Sequence, residues 1–192
     1  MQKNTDIKSV KLLVNSFDIA PKIIASCPYS ESLQLSINSC ILLLRDTLKV
    51  TNDIITKMDE LAINLKEFYV VNEMKGVGRK TRSRLIAEVG DIKKYKNANA
   101  LIASCGIDTP PYQSGTFNAT ERHITKRGNK HLRRVGYEIT KSIKSSRPKS
   151  DNSVYLFMLK KESEGKSKKV AKIAGLNKFL RIYYARVKEL YD

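Results

Sequence analysis

The feature that most constrains the fold is a run of apolar residues at alternating intervals of four and three, from residue 37 to residue 65. Its members are Ile37, Ile41, Leu44, Leu48, Thr51, Ile55, Met58, Ala62 and Leu65, with Thr51 as the one polar position. This spacing aligns one face of an α-helix and is the a/d pattern of a coiled coil. The neighbouring Leu42, Leu43, Ile54 and Leu61 widen that face, as in an ordinary buried helix hairpin. We expect a coiled-coil-like helix over 31–67, and both kinds of packing remain open.

Shorter segments with helical spacing make up the rest of the chain. An N-terminal helical segment is expected over 1–30, with its helix at 6–17. From residue 68 to residue 192 we expect a helical domain, with its first two short helices around Gly76-Val77-Gly78. Further helices are predicted over 97–105, from Asn129 to the Arg147-Pro148 stop, over 154–161 and over 168–190, with a loop at 107–128. No segment shows convincing strand alternation, so the predicted class is all-α.

Charge is distributed unevenly along the chain. There are 36 Lys and Arg against 19 Asp and Glu, a formal net charge of +17. Residues 1–70 hold 8 basic and 8 acidic residues, so the other 28 basic and 11 acidic residues, and the whole excess, lie in 71–192. A neutral first third before a basic remainder is typical of a scaffold joined to a polyanion-binding unit. Nucleic acid is the expected polyanion; an acidic membrane surface, or charge that is only solvated, is the alternative.

Cysteine usage and hydropathy argue against several other classes of protein. Cys27, Cys40 and Cys105 are odd in number and form no C-x-x-C pair, so they indicate neither a disulfide framework nor a zinc site. The first residues carry no signal-peptide pattern, and the longest uninterrupted apolar run is far shorter than a membrane span. We therefore expect a cytoplasmic protein with no membrane partner and no metal site of its own.

The segment 70–90 resembles a helix-hairpin-helix motif. Its glycines, Gly76 and Gly78, permit a tight turn and let backbone amides approach a phosphate, which then faces the positive end of the second helix. Four basic residues follow within six positions: Arg79, Lys80, Arg82 and Arg84. Such contacts hold the nucleic-acid backbone without identifying its sequence. The alternative is a helical corner whose glycines only allow close packing.

A polar loop then carries Ser114 and leads into a run of basic residues over 122–134. A Ser-Gly pair in such a loop is usually only a turn. The basic residues that follow it make binding of a phosphodiester by this loop a candidate function. The buried face of the following helix is expected to be Leu132, Val135, Ile139 and Ile143, which leaves most of its basic residues free to contact phosphate. The candidate DNA-binding residues are Gly76, Gly78, Arg79, Lys80, Arg82, Arg122, Lys126, Arg127, Asn129, Lys130, Arg133 and Arg134.

Taken together and in their order along the chain, the motifs resemble the C-terminal transposase domain of the Piv/MooV-type DNA invertases. The insertion-sequence relatives of that family are the bridge-RNA-guided recombinases. The resemblance covers about residues 65–190. It rests on the succession of Gly76–Gly78, Glu88–Asp91, Leu101–Gly106, Gln113–Gly115, Ile124–Lys126 and Gly128–Arg133, with Gly165, Lys166, Lys169, Ala171 and Ala174 in the closing helix.

The resemblance implies that Ser114 is a nucleophile that joins covalently to DNA. In that family it works with an acidic, metal-binding RNase H-like domain, which a coiled coil connects. A serine hydroxyl needs activation, and His123 is a weak candidate for the base because a histidine at such a boundary is more often a surface residue. Basic side chains can stabilise a pentavalent phosphate, and the candidates are Lys126, Arg127, Arg133 and Arg122. The implied partners are DNA, a structured guide RNA as in the relatives, and a second copy of the chain through 37–65.

Two features depart from the family's pattern. Residues 1–30 offer only Asp6 and Asp18, so we expect the RNase H-like domain and its Mg²⁺ to come from another polypeptide, or the chain to be a truncated or decayed copy. This chain is expected to bind no cofactor itself. Arg82 stands where the family usually has a small residue, which predicts a more exposed or more basic helix face.

Three functions of different classes are consistent with these patterns. The first is the DNA-binding C-terminal part of a transposase or site-specific recombinase. The second is a non-catalytic module that binds junction DNA or structured RNA, and the third is a structural dimerisation protein with incidental charge. We expect the chain to descend from a transposase or recombinase, and we keep the non-catalytic module as the alternative for what the isolated chain does. The isolated chain is expected to bind DNA but not to complete strand exchange alone.

Overall fold

The structure is a computed structural model that describes residues 30–109, 113–114, 117–118, 123–148 and 152–191. The helix expected at 6–17 lies outside these residues. The elements are α1 Glu31–Ala62, α2 Lys66–Glu73, α3 Arg79–Val89, a 3₁₀ helix Ile92–Lys94, α4 Ala98–Cys105, β1 Gln113–Ser114, β2 Phe117–Asn118, α5 Lys130–Ser146, α6 Ser153–Ser163 and α7 Lys168–Lys188. The predicted all-α class is confirmed, and the strands in the described ranges are two residues each.

The long helix α1 forms where the heptad pattern predicts one. The Ser30 hydroxyl oxygen accepts the backbone N–H of Leu33 at 3.2 Å, as an N-terminal cap does. The helix ends at Ala62, so the last heptad residue, Leu65, lies beyond it. Of the heptad residues, Ile37, Ile41, Leu48, Ile55 and Met58 are half-buried and Leu44 is exposed. The neighbouring Leu42 and Leu43 are exposed as well. Association through this helix stays a prediction.

The chain divides into two compact units within α1. The first unit is Met1–Ile54, of which the structure describes residues 30–54. The second unit is Ile55–Asp192, which contains the last two turns of α1 and every later element. All predicted site residues belong to this second unit.

Helix α7 is the centre of the second unit, because α2, α4, α5, α6 and the 3₁₀ helix all pack against it. Its buried residues recur at helical spacing: Ala171, Gly175, Leu176, Phe179, Leu180, Tyr183, Tyr184 and Val187. A methyl group on Gly175 would lie 2.8 Å from the Met158 sulfur of α6, so the Met158 side chain packs directly against the backbone of α7 at this glycine. Each large apolar side chain buried here stabilises the fold by about 1.5–3 kcal/mol.

Helix α5 also follows its predicted pattern. The side-chain oxygen of Asn129 accepts the backbone N–H groups of His131 and Leu132, at 2.8 and 3.1 Å, and so begins the helix. The four residues predicted for its core face are buried: Leu132, Val135, Ile139 and Ile143. The helix ends where Arg147 takes a φ of 43°, directly before Pro148. None of the helices in the described ranges is long and apolar enough to cross a membrane.

Candidate nucleic-acid interface

The first glycine of the turn between α2 and α3, Gly76, packs closely against α5. Gly76 has a φ of 90°, which an L side chain rarely adopts. A Cβ at this position would overlap Ile143 Cγ1 and lie 2.8 Å from Ile143 Cδ1. The glycine is therefore required both by the turn and by the contact between this corner and the buried face of α5.

The second glycine of the turn has a different environment. Gly78 is the residue before α3, and its N–H donates to the Thr81 hydroxyl at 3.0 Å. A Cβ built on Gly78 would meet no atom within 4 Å, so the space beside the start of α3 is open. The amide end of an 11-residue helix with a basic first turn therefore faces accessible space.

Arg82 is held inside the protein by several partners. Its guanidinium donates to both oxygens of Asp59, at 3.2 and 2.7 Å, and to the Asn72 side-chain oxygen at 2.6 Å. It also lies 4.6 Å from the centre of the Phe68 ring. Because its side chain is only 21% exposed, Arg82 does not give α3 the more exposed face that its departure from the family's pattern predicts.

The neighbouring basic residues of α3 are more accessible. Arg79 donates to the Thr56 hydroxyl at 2.8 Å and its Nε lies 3.5 Å from an Asp59 oxygen, while 47% of the side chain stays exposed. Lys80 is exposed as well. Arg84 lies 3.1 Å from Glu138 of α5, an ion pair that ties the two helices together.

Asp59 is the acidic residue around which these arginines gather. Burial by itself would raise the pKa of this carboxyl. Hydrogen bonds from Arg82 and Ser83 and the charges of Arg82 and Arg79 outweigh burial, so the pKa of Asp59 lies below its ordinary value. Asp59 therefore stays ionised and fixes the last turns of α1 to the start of α3.

A short backbone ladder closes the loop that contains Ser114. The N–H groups of Thr125, Lys126 and Asn129 donate to the carbonyl oxygens of Asp108, Gly106 and Ser104, at 3.0, 3.0 and 2.7 Å. As one segment advances the other runs backwards, so the pairing is antiparallel. The Thr125 hydroxyl also donates to the Asp108 carboxylate at 2.6 Å. The two ends of the loop are thereby joined at the end of α4.

The two segments of this ladder approach each other very closely. A Cβ on Gly128 would lie 2.6 Å from the backbone nitrogen of Gly106, so a larger residue does not fit there. Lys126 adopts a φ of 56°, which is uncommon for a residue other than glycine and often marks a functional segment. The backbone of the loop's base is therefore fixed immediately before the basic start of α5.

Ser114 lies beyond this ladder in a second antiparallel pairing. Strand β1 pairs with β2 so that Gln113 faces Asn118 and Ser114 faces Phe117. Two residues, Gly115 and Thr116, connect the strands in the sequence. The predicted nucleophile therefore lies in a short antiparallel strand pair within the loop that the ladder closes. Arg122 lies outside the described residues.

The candidate DNA-binding residues at and before the start of α5 fall into two groups. Asn129 and Arg133 are engaged within the protein: the Asn129 amide donates to Glu88 at 2.8 Å, and Arg133 donates to the Cys105 carbonyl oxygen at 2.9 Å. Arg134 pairs with Glu138 at 3.2 Å but is 77% exposed. The exposed side chains are Lys126, Arg127, Lys130 and Arg134, beside the exposed His123 and His131. The structure thus separates positioning groups from accessible cations.

Metal binding can be tested on the side chains the structure describes. Within 30–109, 123–148 and 152–191, no group of three or more His, Cys, Asp or Glu side chains comes together as a metal site would need. The acidic residues of the interface are instead paired with arginine, asparagine or threonine. These described residues therefore do not fit a catalytic Mg²⁺.

Sequence reasoning missed the acidic partners of two predicted basic residues and of Asn129. Asp59, Glu88 and Glu138 hold Arg82, Asn129 and Arg84 in place, and none was a predicted site residue. The one available signal was Arg82 itself, a large charged residue at a position where a small one is usual. Such a residue needs a partner when it is half-buried.

Comparisons with known proteins support one family for this region. Residues 69–155 match the family model described as Transposase IS116/IS110/IS902 family. The chain is also 28% identical over 114 residues to the pilin gene-inverting proteins of Moraxella bovis and Moraxella lacunata. These matches cover 59% of this chain and 34% of each relative, so the chain spans about a third of the length of the curated relatives it matches. Together they support the transposase family for the segment that contains the α2–α3 turn, the Ser114 loop and α5.

Proposed function

We propose that this chain is the DNA-binding part of an insertion-sequence transposase or site-specific recombinase, with Ser114 as its nucleophile. One observation carries the proposal. The segment similar to the transposase family, 69–155, contains every predicted site residue from Gly76 to Arg134. The relatives named for pilin gene inversion suggest inversion or transposition of DNA as the reaction.

The charge distribution supports binding to the DNA backbone. Lys80, Lys126, Arg127, Lys130 and Arg134 are exposed, and the start of α3 faces open space at Gly78. Exposed cations and free helix ends contact phosphates, which sets affinity and orientation but not sequence preference. In this proposal Arg82, Asn129 and Arg133 act by positioning, because each already has partners within the protein.

The proposed chemistry is a transesterification. The Ser114 oxygen attacks the phosphorus of a DNA phosphodiester; an Oγ–P bond forms as one P–O ester bond breaks. The serine proton passes to a base, and the leaving deoxyribose oxygen takes up a proton. Because one phosphate ester replaces another, the covalent intermediate keeps the free energy of the broken bond for rejoining. Basic side chains such as Lys126 and Arg127 would stabilise the added negative charge of the transition state.

The rest of the assembly is also part of the proposal. An acidic domain supplied elsewhere would activate the serine and hold Mg²⁺. A structured guide RNA would choose the target, and the 37–65 heptads would join two copies of the chain. The chain alone would bind DNA without completing strand exchange.

Trapping the covalent intermediate tests the chemistry. End-labelled junction DNA is incubated with the chain, with and without an RNase H-like domain from a complete relative, Mg²⁺ and guide RNA. We expect a slow band on a denaturing gel that disappears in Ser114→Ala. Thr116→Ala is the matched control, because it removes a hydroxyl two residues away and should keep the band. Salt-sensitive binding without any band would favour the non-catalytic module.

The salt dependence of DNA affinity tests the binding. Each phosphate contact contributes about 0.9 to the slope of log affinity against log salt concentration. Arg127→Ala should therefore lower this slope by roughly one. Arg45→Ala removes the same charge from the exposed surface of α1 and should leave the slope unchanged. Equal slopes for both variants would reject a phosphate contact at Arg127.

A further inference from the structure

We infer that Arg79 exchanges between two sets of partners. In the free protein it contacts Thr56 and Asp59 of α1, and when DNA binds at the start of α3 it leaves them and contacts a phosphate. The last turns of α1 and the DNA then compete for one guanidinium group. The inference rests on the proposed DNA binding by α3 and adds a means by which α1 regulates it.

The contacts of Arg79 are suited to exchange. Its Nη2 donates to the Thr56 hydroxyl at 2.8 Å, while its Nε is 3.5 Å from Asp59 Oδ2. With 47% of the side chain exposed, water reaches the guanidinium and weakens the ion pair. The net stabilisation from such contacts is small, so a better anion can replace them.

Asp59 does not depend on Arg79 for its own hydrogen bonds. Arg82 donates to both of its oxygens, at 3.2 and 2.7 Å, and the Ser83 hydroxyl donates to Oδ1 as well. When Arg79 leaves, no buried carboxylate oxygen loses its last donor, and the large penalty for an unpaired buried charge does not arise. Arg82 stays fixed while Arg79 moves, although the two arginines share the same acid.

The position of Arg79 at the start of α3 is also suited to a contact with phosphate. It is the first residue of α3 and directly follows Gly78, beside which the space is open. A phosphate at this helix end would meet the positive end of the helix and the Arg79 guanidinium together. The guanidinium cannot contact Thr56 and the phosphate at the same time, so a stronger contact with Thr56 weakens DNA binding.

Thr56→Val isolates this competition because it removes the acceptor and changes no charge. Affinity for a duplex DNA is measured by fluorescence anisotropy at several salt concentrations, in wild-type and Arg79→Ala backgrounds. We expect Thr56→Val to bind about two- to tenfold more tightly, as loss of one hydrogen bond implies. In the Arg79→Ala background the same change should have no effect.

Two controls keep the result interpretable. Thr51→Val replaces a threonine one and a half turns earlier in α1, whose hydroxyl bonds to the Thr47 carbonyl oxygen at 2.7 Å, and it should leave affinity unchanged. Thermal denaturation checks that each variant folds. If Thr56→Val does not fold, Thr56→Ala replaces it, because alanine favours a helix more than valine does.

The outcomes separate the inference from the proposed function. If Arg79→Ala weakens binding but the Thr56 variants do not strengthen it, the competition is rejected and DNA binding by α3 stands. If the Thr56 effect persists without Arg79, the competition is likewise rejected. If the chain does not bind DNA in a salt-sensitive manner at all, the proposed function fails and the inference fails with it.

Discussion

Replacing Gly76 by alanine tests whether the turn between α2 and α3 is fixed by its contact with α5. The backbone φ of 90° strains an L residue by about 1–3 kcal/mol. The new methyl would also overlap Ile143 Cγ1 and lie 2.8 Å from its Cδ1, and Ile143 is fully buried. Such overpacking costs about 1–3 kcal/mol. We expect Gly76→Ala to lower the free energy of unfolding by about 2–6 kcal/mol in total.

Urea denaturation followed by circular dichroism measures this loss as a lower midpoint at an unchanged slope. Gly165→Ala is the matched control, because Gly165 has a φ of 79° but a Cβ there would meet no atom within 4 Å. The control should show only the backbone strain of about 1–3 kcal/mol. Combining Gly76→Ala with Ile143→Ala should make the glycine substitution less costly, because the overlap is then removed. Equal losses for Gly76→Ala and Gly165→Ala would refute the packing argument.

Two further predictions concern buried acids. Asp59→Asn should lower stability by about 1–3 kcal/mol at neutral pH. Because the pKa of Asp59 is lowered from 3.8 in the folded state, this difference should be complete above pH 3.8 and vanish as pH falls through the folded value. A difference that persists at low pH would contradict the ion pair. Tyr191→Phe removes the hydroxyl that donates to buried Glu67 and should cost about 1–2 kcal/mol. That hydrogen bond raises the pKa of Tyr191 from 10.0 to about 12. In urea titrations the stabilisation by the hydroxyl should therefore be present below pH 10 and lost as pH rises through 12. A cost of Tyr191→Phe that does not change with pH would contradict the hydrogen bond to Glu67.

Much of the fold could be predicted because its signals are local. The buried face of α5 follows from the helical spacing of Leu132, Val135, Ile139 and Ile143, which is read along about three consecutive turns of the chain. The helix ends at Asn129 and Gly106 follow from side-chain capping and from a left-handed backbone, which involve only a few neighbouring residues. The two short strands near Ser114 were not predicted, since two paired residues leave no alternating pattern.

The candidate site was less predictable than the fold, because its side chains are held by residues far away in the sequence. Arg82 and Asp59 are 23 positions apart, Asn129 and Glu88 are 41 apart, and Arg133 is 28 from the Cys105 carbonyl. No periodicity connects such pairs, so the sequence presents each basic residue as a DNA contact of equal standing. Only packing shows which cations are already paired and which are exposed.

By itself the sequence determined the all-α class, the positions of most helices, the basic excess after residue 70 and the motif order that resembles a transposase domain, because each of these depends on composition or on neighbours along the chain. The tertiary structure alone decided that Gly76 packs on Ile143, that Arg82 is bound by Asp59 while Arg79 stays accessible, and that a backbone ladder at the end of α4 closes the loop that contains Ser114. The physical reason is that burial and ion pairing are set by which helices meet, and those contacts join residues that local patterns cannot relate.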